Sequence, residues 1–176
     1  MILYDSKFLQ LKSAVSPSGK PWYYAHRPNV TGGVVIVPVI GDSIIFLETE
    51  RPPIKAEGKA ERCIELPAGL IGDKKPDETV LEAINKELLE ETGYIANKIE
   101  IVGEKISSSP GCLSEAFYIA VAHIDNIQPE VTPVNDGGII KARHIVPKNR
   151  LHDQIKQWQK EGKSVSSQAL AGLFFI

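Results

Sequence analysis

Glu87, Glu90 and Glu91 are spaced i, i+3, i+4, so in a helix all three carboxylates project to one side. They sit in residues 78–94, ETVLEAINKELLEETGY. At about 100° per residue, Val80, Ala83, Ile84 and Leu88 form the stripe that would dock on a core, and the acidic side overlaps it. Lys86 and Leu89 point elsewhere. The acids are therefore aimed inward near the C-terminal end of the helix, where the helix dipole disfavours anions and like charges raise one another's pKa. A bound hard divalent cation keeps such a cluster ionised, and oxygen-only ligands suit Mg²⁺ or Mn²⁺. The competing reading is a solvated Glu-rich helix held by i,i+4 pairs. The inward placement of the acids weighs against it.

The elements that must position this helix follow from the pattern on either side. Thr79 with Glu82 forms a capping box, and Gly93 is placed to close the helix in a left-handed conformation. Residues 1–30 alternate and turn at Ser16-Pro17-Ser18-Gly19-Lys20-Pro21, which predicts a two-stranded antiparallel unit. A lone hairpin is marginal, so it must lie on the main domain or on a second subunit. Its Trp22 would either stack on a purine base or pack against the domain. Residues 34–40 are apolar throughout, as in a strand covered on both faces, and residues 44–48 return antiparallel. Strands are also expected at 63–66, 99–106, 116–122 and 139–146, with helices at about 149–161 and from 164 or 166 to 175. Strands interleaved with helices predict an α/β fold with a mixed sheet covered on both faces.

The 176 residues are 43% hydrophobic and 24% charged, which suits a single folded domain with a real core. Net charge is −2 with no Lys/Arg run, so an electrostatic footprint for nucleic acid is missing. Cys63 and Cys112 show no metal-ligand spacing, and the first ten residues lack a signal-peptide pattern. No apolar stretch approaches the ~20 residues of a membrane span. A reduced, cytoplasmic protein is expected.

From Glu78 onward the chain resembles the Nudix hydrolase box, G-x5-E-x7-R-E-U-x-E-E-x-G-U with U aliphatic. Lys86 stands where the family has Arg, which keeps the charge but loses the bidentate fork that would orient a neighbouring Glu. Tyr94 replaces an aliphatic residue. Gly72 fits the x5 spacing literally, whereas Gly69 in Glu65-Leu66-Pro67-Ala68-Gly69 matches the strand-to-loop context, with extra residues in GDKKPD. Gly69 is the preferred reading. The resemblance implies an α/β/α sandwich over residues 31–176, with residues 1–30 as an added β unit that pairs subunits into a homodimer. It also implies metal ligation by Glu87 and Glu91, with Glu90 as co-ligand or water-activating partner and the Ala68 carbonyl as a further ligand. The reaction implied is Mg²⁺-dependent hydrolysis of a nucleoside diphosphate joined to another group.

Further positions resemble the ADP-ribose pyrophosphatase branch. Pro110, sixteen residues after Tyr94, and Gly111 open a loop that ends at Glu115, which matches a substrate-contacting glutamate. Arg51 matches an arginine on substrate phosphate, as guanidinium forks fit phosphate oxygens. Leu70, beside the preferred box glycine, joins the expected substrate contacts. For the general base the late loop offers Glu130 and Asp136, with Glu90 as the third candidate. The expected reaction converts ADP-ribose to AMP and ribose 5-phosphate. GDP-mannose or another sugar nucleotide is the nearest rival, and a silent nucleotide-binding sensor is a different class of reading.

Overall fold

The chain opens with three short strands, β1 (Ile2–Asp5), β2 (Gln10–Val15) and β3 (Pro21–His26), paired antiparallel in that order. The computed structural model describes every residue except Asn135, together with the side chain of Asp136. The N-terminal unit is thus three-stranded rather than two-stranded. The added strand is four residues long and exposed, so it carries no alternating pattern to reveal it. The unit lies on its own chain. Ala25 N–H donates to the Cys112 carbonyl at 2.8 Å, Ser114 N–H donates to the Ala25 carbonyl at 3.1 Å, and Trp22 Nε1 donates to the Gly111 carbonyl at 2.7 Å.

The main body continues with β4 (Gly32–Ile40), β5 (Ser43–Thr49), a short helix α1 (Pro52–Ala56), β6 (Cys63–Glu65) and β7 (Ala68–Ile71). Next come the glutamate helix α2 (Val80–Thr92), β8 (Lys98–Ser107) and β9 (Ala116–Ile124). The chain ends with β10 (Ile140–Pro147), α3 (Leu151–Lys160), β11 (Ser164–Val165) and α4 (Ser167–Leu173). Pro52 and Pro53 start the short turn of α1, since proline's fixed φ suits a helix's first positions.

These strands form one mixed eight-stranded sheet, with β11-β6-β5-β4-β9-β8 as its path. β4 runs parallel to β9 along its whole length, from Gly33↔Phe117 to Ile40↔Ile124. It meets β5 only at Val39↔Ile44 and Ile40↔Ser43. At its other end it pairs with β7, while β5 turns away to pair with β6 and β10.

Alternation along β4 supplies two cores. Val35, Val37 and Val39 face one layer with Phe46, Ile119, Trp158 and Ala169. Val34, Ile36 and Ile40 face the other with Ile45, Ala83, Ile84 and Leu88. The second layer therefore buries the apolar stripe of α2, and the first is covered by α3 and α4. α4 packs so closely that a side chain at Gly172 would meet Leu66 Cδ1 at 2.7 Å. At the edge of the first layer, partly buried Glu48 on β5 accepts hydrogen bonds from Lys163 Nζ at 2.8 Å and His144 Nε2 at 3.0 Å. Among the described residues no helix is long and apolar enough to cross a membrane.

Candidate active site

α2 holds its acids in place by conventional means at both ends. Thr79 Oγ1 accepts the Glu82 N–H at 3.2 Å while Glu82 accepts the Thr79 N–H at 2.7 Å, a reciprocal capping box. Gly93 ends the helix at φ 80°, and its N–H donates to the Leu89 carbonyl at 2.9 Å. A side chain there would collide with the Val131 carbonyl. With Ala83, Ile84 and Leu88 buried against the sheet, Glu87, Glu90 and Glu91 all line one open cavity of about 560 Å³.

Each glutamate is already engaged. Glu91 Oε2 accepts the Ala68 N–H at 2.9 Å, tying the helix to β7. Glu87 lies 3.3 Å from Lys86 Nζ with its side chain only 14% exposed. Burial pushes its carboxyl above the ordinary carboxylate range despite the nearby Lys86. Glu90 is more open and lies 3.9 Å from Lys74 Nζ. Among the described residues no three His, Cys, Asp or Glu side chains stand preassembled as a metal-ligand cluster. The donor set nonetheless suits a hard divalent cation: three carboxylates share one cavity, and one is strained toward its neutral form by burial. Gly69 supports the same reading, because a Cβ there would run into the Glu87 carboxylate.

Lys86 does more than its charge alone suggested. Its ammonium bonds Glu78 Oε1 at 2.8 Å as well as Glu87, and Glu78 Oε2 accepts the Gly72 N–H at 3.0 Å. One cation therefore ties the loop 72–78 to the acidic face of α2. Burial raises the Glu78 pKa, but Lys86 and the Gly72 N–H outweigh it and hold the carboxyl below its ordinary value. Both candidate glycines have structural work: Gly69 clears Glu87, and Gly72, at φ 88°, presents its N–H to Glu78.

Leu70, Arg51 and Glu115 also line the cavity. Arg51 is forked onto Glu65, with Nε at 3.0 Å and Nη2 at 2.8 Å from Oε2. Glu115 is paired with Arg27, Nε to Oε1 at 2.8 Å. Other expected residues are not brought to the cavity wall. Trp22 is half exposed and donates its indole N–H to Gly111, so it packs on the Pro110-Gly111 loop beside the site. Glu130 is exposed and accepts from Asn126 Nδ2 at 2.9 Å, on the loop beyond Gly93. The Asp136 side chain lies outside the described residues. Of the two proposed bases whose side chains are described, Glu90 lines the cavity and Glu130 does not.

Sequence reasoning missed four residues here. Arg27 and Lys74 add positive charge to the cavity, and Gln168 closes it from α4. The two lysines in GDKKPD were a readable signal for Lys74; nothing local marked Arg27 or Gln168. Arg143 on β10 was also missed. Its Nε donates to the Glu91 carbonyl and its Nη2 to the Val134 carbonyl at 2.8 Å. This puts a cation at the C-terminal end of α2, where the helix itself has none in its last turn.

The NUDIX domain family model matches residues 31–168. Three relatives have stated activities. An ADP compounds hydrolase of Escherichia coli is 32% identical over 117 residues, covering 63% of this chain and 58% of that protein. A GDP-mannose pyrophosphatase of Cronobacter sakazakii is 35% identical over 120 residues, covering 65% and 58%. An ADP-ribose pyrophosphatase of Saccharomyces cerevisiae is 27% identical, covering 90% of this chain and 72% of that protein. This chain thus spans less than two thirds of the length of the first two. A crystal structure of an ADP compounds hydrolase superposes with a TM-score of 0.71 over 99% of this chain and 90% of that one, at 22% identity, so the two share a fold.

Proposed function

The chain belongs to the Nudix hydrolase family, and from that premise we propose that it is a Mg²⁺-dependent pyrophosphatase that hydrolyses ADP-ribose to AMP and ribose 5-phosphate. The observation that carries this reading is the composition of one cavity wall. Glu87, Glu90 and Glu91 face it from α2, and Arg27, Arg51 and Lys74 face it from the surrounding elements. A diphosphate needs both signs. Its oxygens are met by guanidinium and ammonium groups, and its charge-neutralising cations are met by carboxylates.

Glu87 and Glu91 would hold the cation, with Mn²⁺ as the natural substitute for Mg²⁺. When bound, the cation would polarise the diphosphate and lower the pKa of an attacking water. Within the chain, Arg27 and Arg51 orient the diphosphate through forks already aligned by Glu115 and Glu65. Glu90 is the proposed proton acceptor, because it reaches the cavity and is open enough to exchange protons with solvent. Asp136 is the competing base. Residues 1–30 are proposed to pair two subunits, because their sheet leaves Tyr4, Phe8, Val15 and Tyr23 more than half exposed. A cytoplasmic location belongs to the same proposal.

The likeness to a GDP-mannose pyrophosphatase favours a second reading, hydrolysis of GDP-mannose by the same machinery. The test is a panel of ADP-ribose, GDP-mannose and other sugar nucleotides, with Mg²⁺, Mn²⁺ or a chelator, and products identified by chromatography. AMP and ribose 5-phosphate formed only with a divalent cation are expected. An ADP-ribose signal no higher than the chelated control, with GDP-mannose consumed, would transfer the assignment to the second reading.

A further inference from the structure

Glu90 and Glu91 line the cavity with their side chains, and their backbone carbonyls are met from outside the helix. A helix leaves its final carbonyls without partners of its own. The Val134 N–H donates to the Glu90 carbonyl at 2.7 Å, and Arg143 Nε donates to the Glu91 carbonyl. Arg143 Nη2 also donates to the Val134 carbonyl at 2.8 Å. Glu90, Val134, Arg143 and Glu91 thus close a ring of hydrogen bonds joining three stretches of chain. Arg143 stands on β10 opposite the buried Leu47 of β5, so the ring is anchored in the main sheet.

The loop that carries Val134 is docked on the same helix end. The Gly93 carbonyl accepts the Glu130 N–H at 2.8 Å and the Val131 N–H at 3.3 Å, and the Tyr94 hydroxyl donates to the Ile127 carbonyl at 3.4 Å. Pro129 and Pro133 lie against Gly93, where a side chain would press on both. Val134 brings this docked stretch to the cavity wall, and Asp136, the competing base, follows two residues later in the chain.

Resting on the proposed function for the reaction itself, we infer that Arg143 is a positioning residue for it: its guanidinium fork fixes the glutamates of α2 relative to the loop 127–134. The fork matters, and not the charge alone. Any cation would favour the C-terminal end of the helix dipole. Only a planar group with several fixed donors holds two carbonyls at a set separation, whereas an ammonium is a point charge on a flexible stem. Arg143 is not among the residues that line the cavity, so it acts through Glu90, Glu91 and Val134 and not on the substrate. A displacement of about 1 Å in groups that must meet a substrate costs up to about a hundredfold in rate, which gives the fork its leverage.

The test compares Arg143→Lys and Arg143→Ala in the full chain by Tm, steady-state kinetics on ADP-ribose and hydrogen exchange at the Val134 amide. Arg143→Lys keeps a cation at the helix end, so its Tm should stay within about 2 °C of the parent. Its kcat should nonetheless fall about tenfold or more, with KM within about twofold, because correctly placed groups are lost and substrate binding is not. The Val134 amide should exchange about tenfold faster. Arg143→Ala should show the same kinetic loss with a lower Tm. Full kcat in Arg143→Lys, with Arg143→Ala losing only Tm, would reduce Arg143 to a helix cap and overturn the inference. A raised KM at unchanged kcat would make it a substrate contact and overturn it equally. A chain that hydrolyses no nucleoside diphosphate, yet whose Val134 amide is released in Arg143→Lys, would sink the hydrolase reading and support the clamp. Hydrolysis of ADP-ribose with Val134 exchange and kcat both unmoved by Arg143→Lys would do the reverse.

Discussion

Lys86 Nζ stands 2.8 Å from Glu78 Oε1, and this ion pair joins the first glutamate of the Nudix motif to the face that carries the other three. The pair is sheltered, with the Glu78 side chain 6% exposed and that of Lys86 21%. Removing one partner of such a pair leaves the other buried and uncompensated. Lys86→Met should therefore free the loop 72–78 and lower kcat/KM at least about tenfold. Lys86→Arg should retain most activity, since its fork reaches the same two carboxylates. Hydrogen exchange at the Gly72 amide checks the mechanism. If Lys86→Met leaves that amide as protected as before, the tie to Glu78 is not what holds the loop.

Gly69 and Glu87 leave no room for one added methyl group. Gly69→Ala should displace the Glu87 carboxylate and raise the divalent-cation concentration needed for half-maximal activity by about tenfold or more, with modest change in Tm. Titrating activity against Mn²⁺ reads this directly. An unchanged cation requirement would mean that Glu87 does not ligate the metal.

Arg27 and Glu115 are 88 residues apart in sequence and 2.8 Å apart in the fold. Arg27→Ala should raise KM for ADP-ribose about tenfold, and Glu115→Gln should raise it less. In the double variant the second change should add little, because each residue acts through the other. Full additivity would show that they contact the substrate independently.

Glu48 gives a stability prediction away from the site. Burial raises its pKa, but hydrogen bonds from Lys163 and His144 outweigh this and hold it below the ordinary value. A carboxyl with a lowered folded pKa contributes stability above its unfolded pKa and loses it as pH falls through the folded one. Glu48→Gln should thus destabilise the protein by about 1–3 kcal/mol near pH 7. The gap to the parent should close as pH falls below the carboxylate range. Urea unfolding at pH 7 and pH 3 measures it, and a gap that widens in acid would refute the assignment.

How much of this was legible in the sequence depended on range. α2 was readable because its signals are local: a capping box spans four residues, and its apolar stripe recurs every helical turn. β4 was readable because nine consecutive buried residues leave no polar interruption. The electrostatics of the site were not. Arg143 reaches the end of α2 from 52 residues away, and Arg27 reaches Glu115 across the N-terminal junction. No spacing rule connects such residues, because the sheet topology alone brings them together. Trp22 shows the same dependence on distant contacts. Its indole N–H meets the Gly111 carbonyl 89 residues on, a partner that no local pattern announces.

Arg27 lies before residue 31, where the match to the family domain begins, yet it forms part of the cavity's cationic rim. Arg27 of the cationic rim and the acidic helix α2, which line the same cavity, therefore come from opposite sides of that boundary. Under the proposed function, exchanging residues 1–30 for another β unit would alter the rim at Arg27 while leaving the three glutamates of α2 as they are.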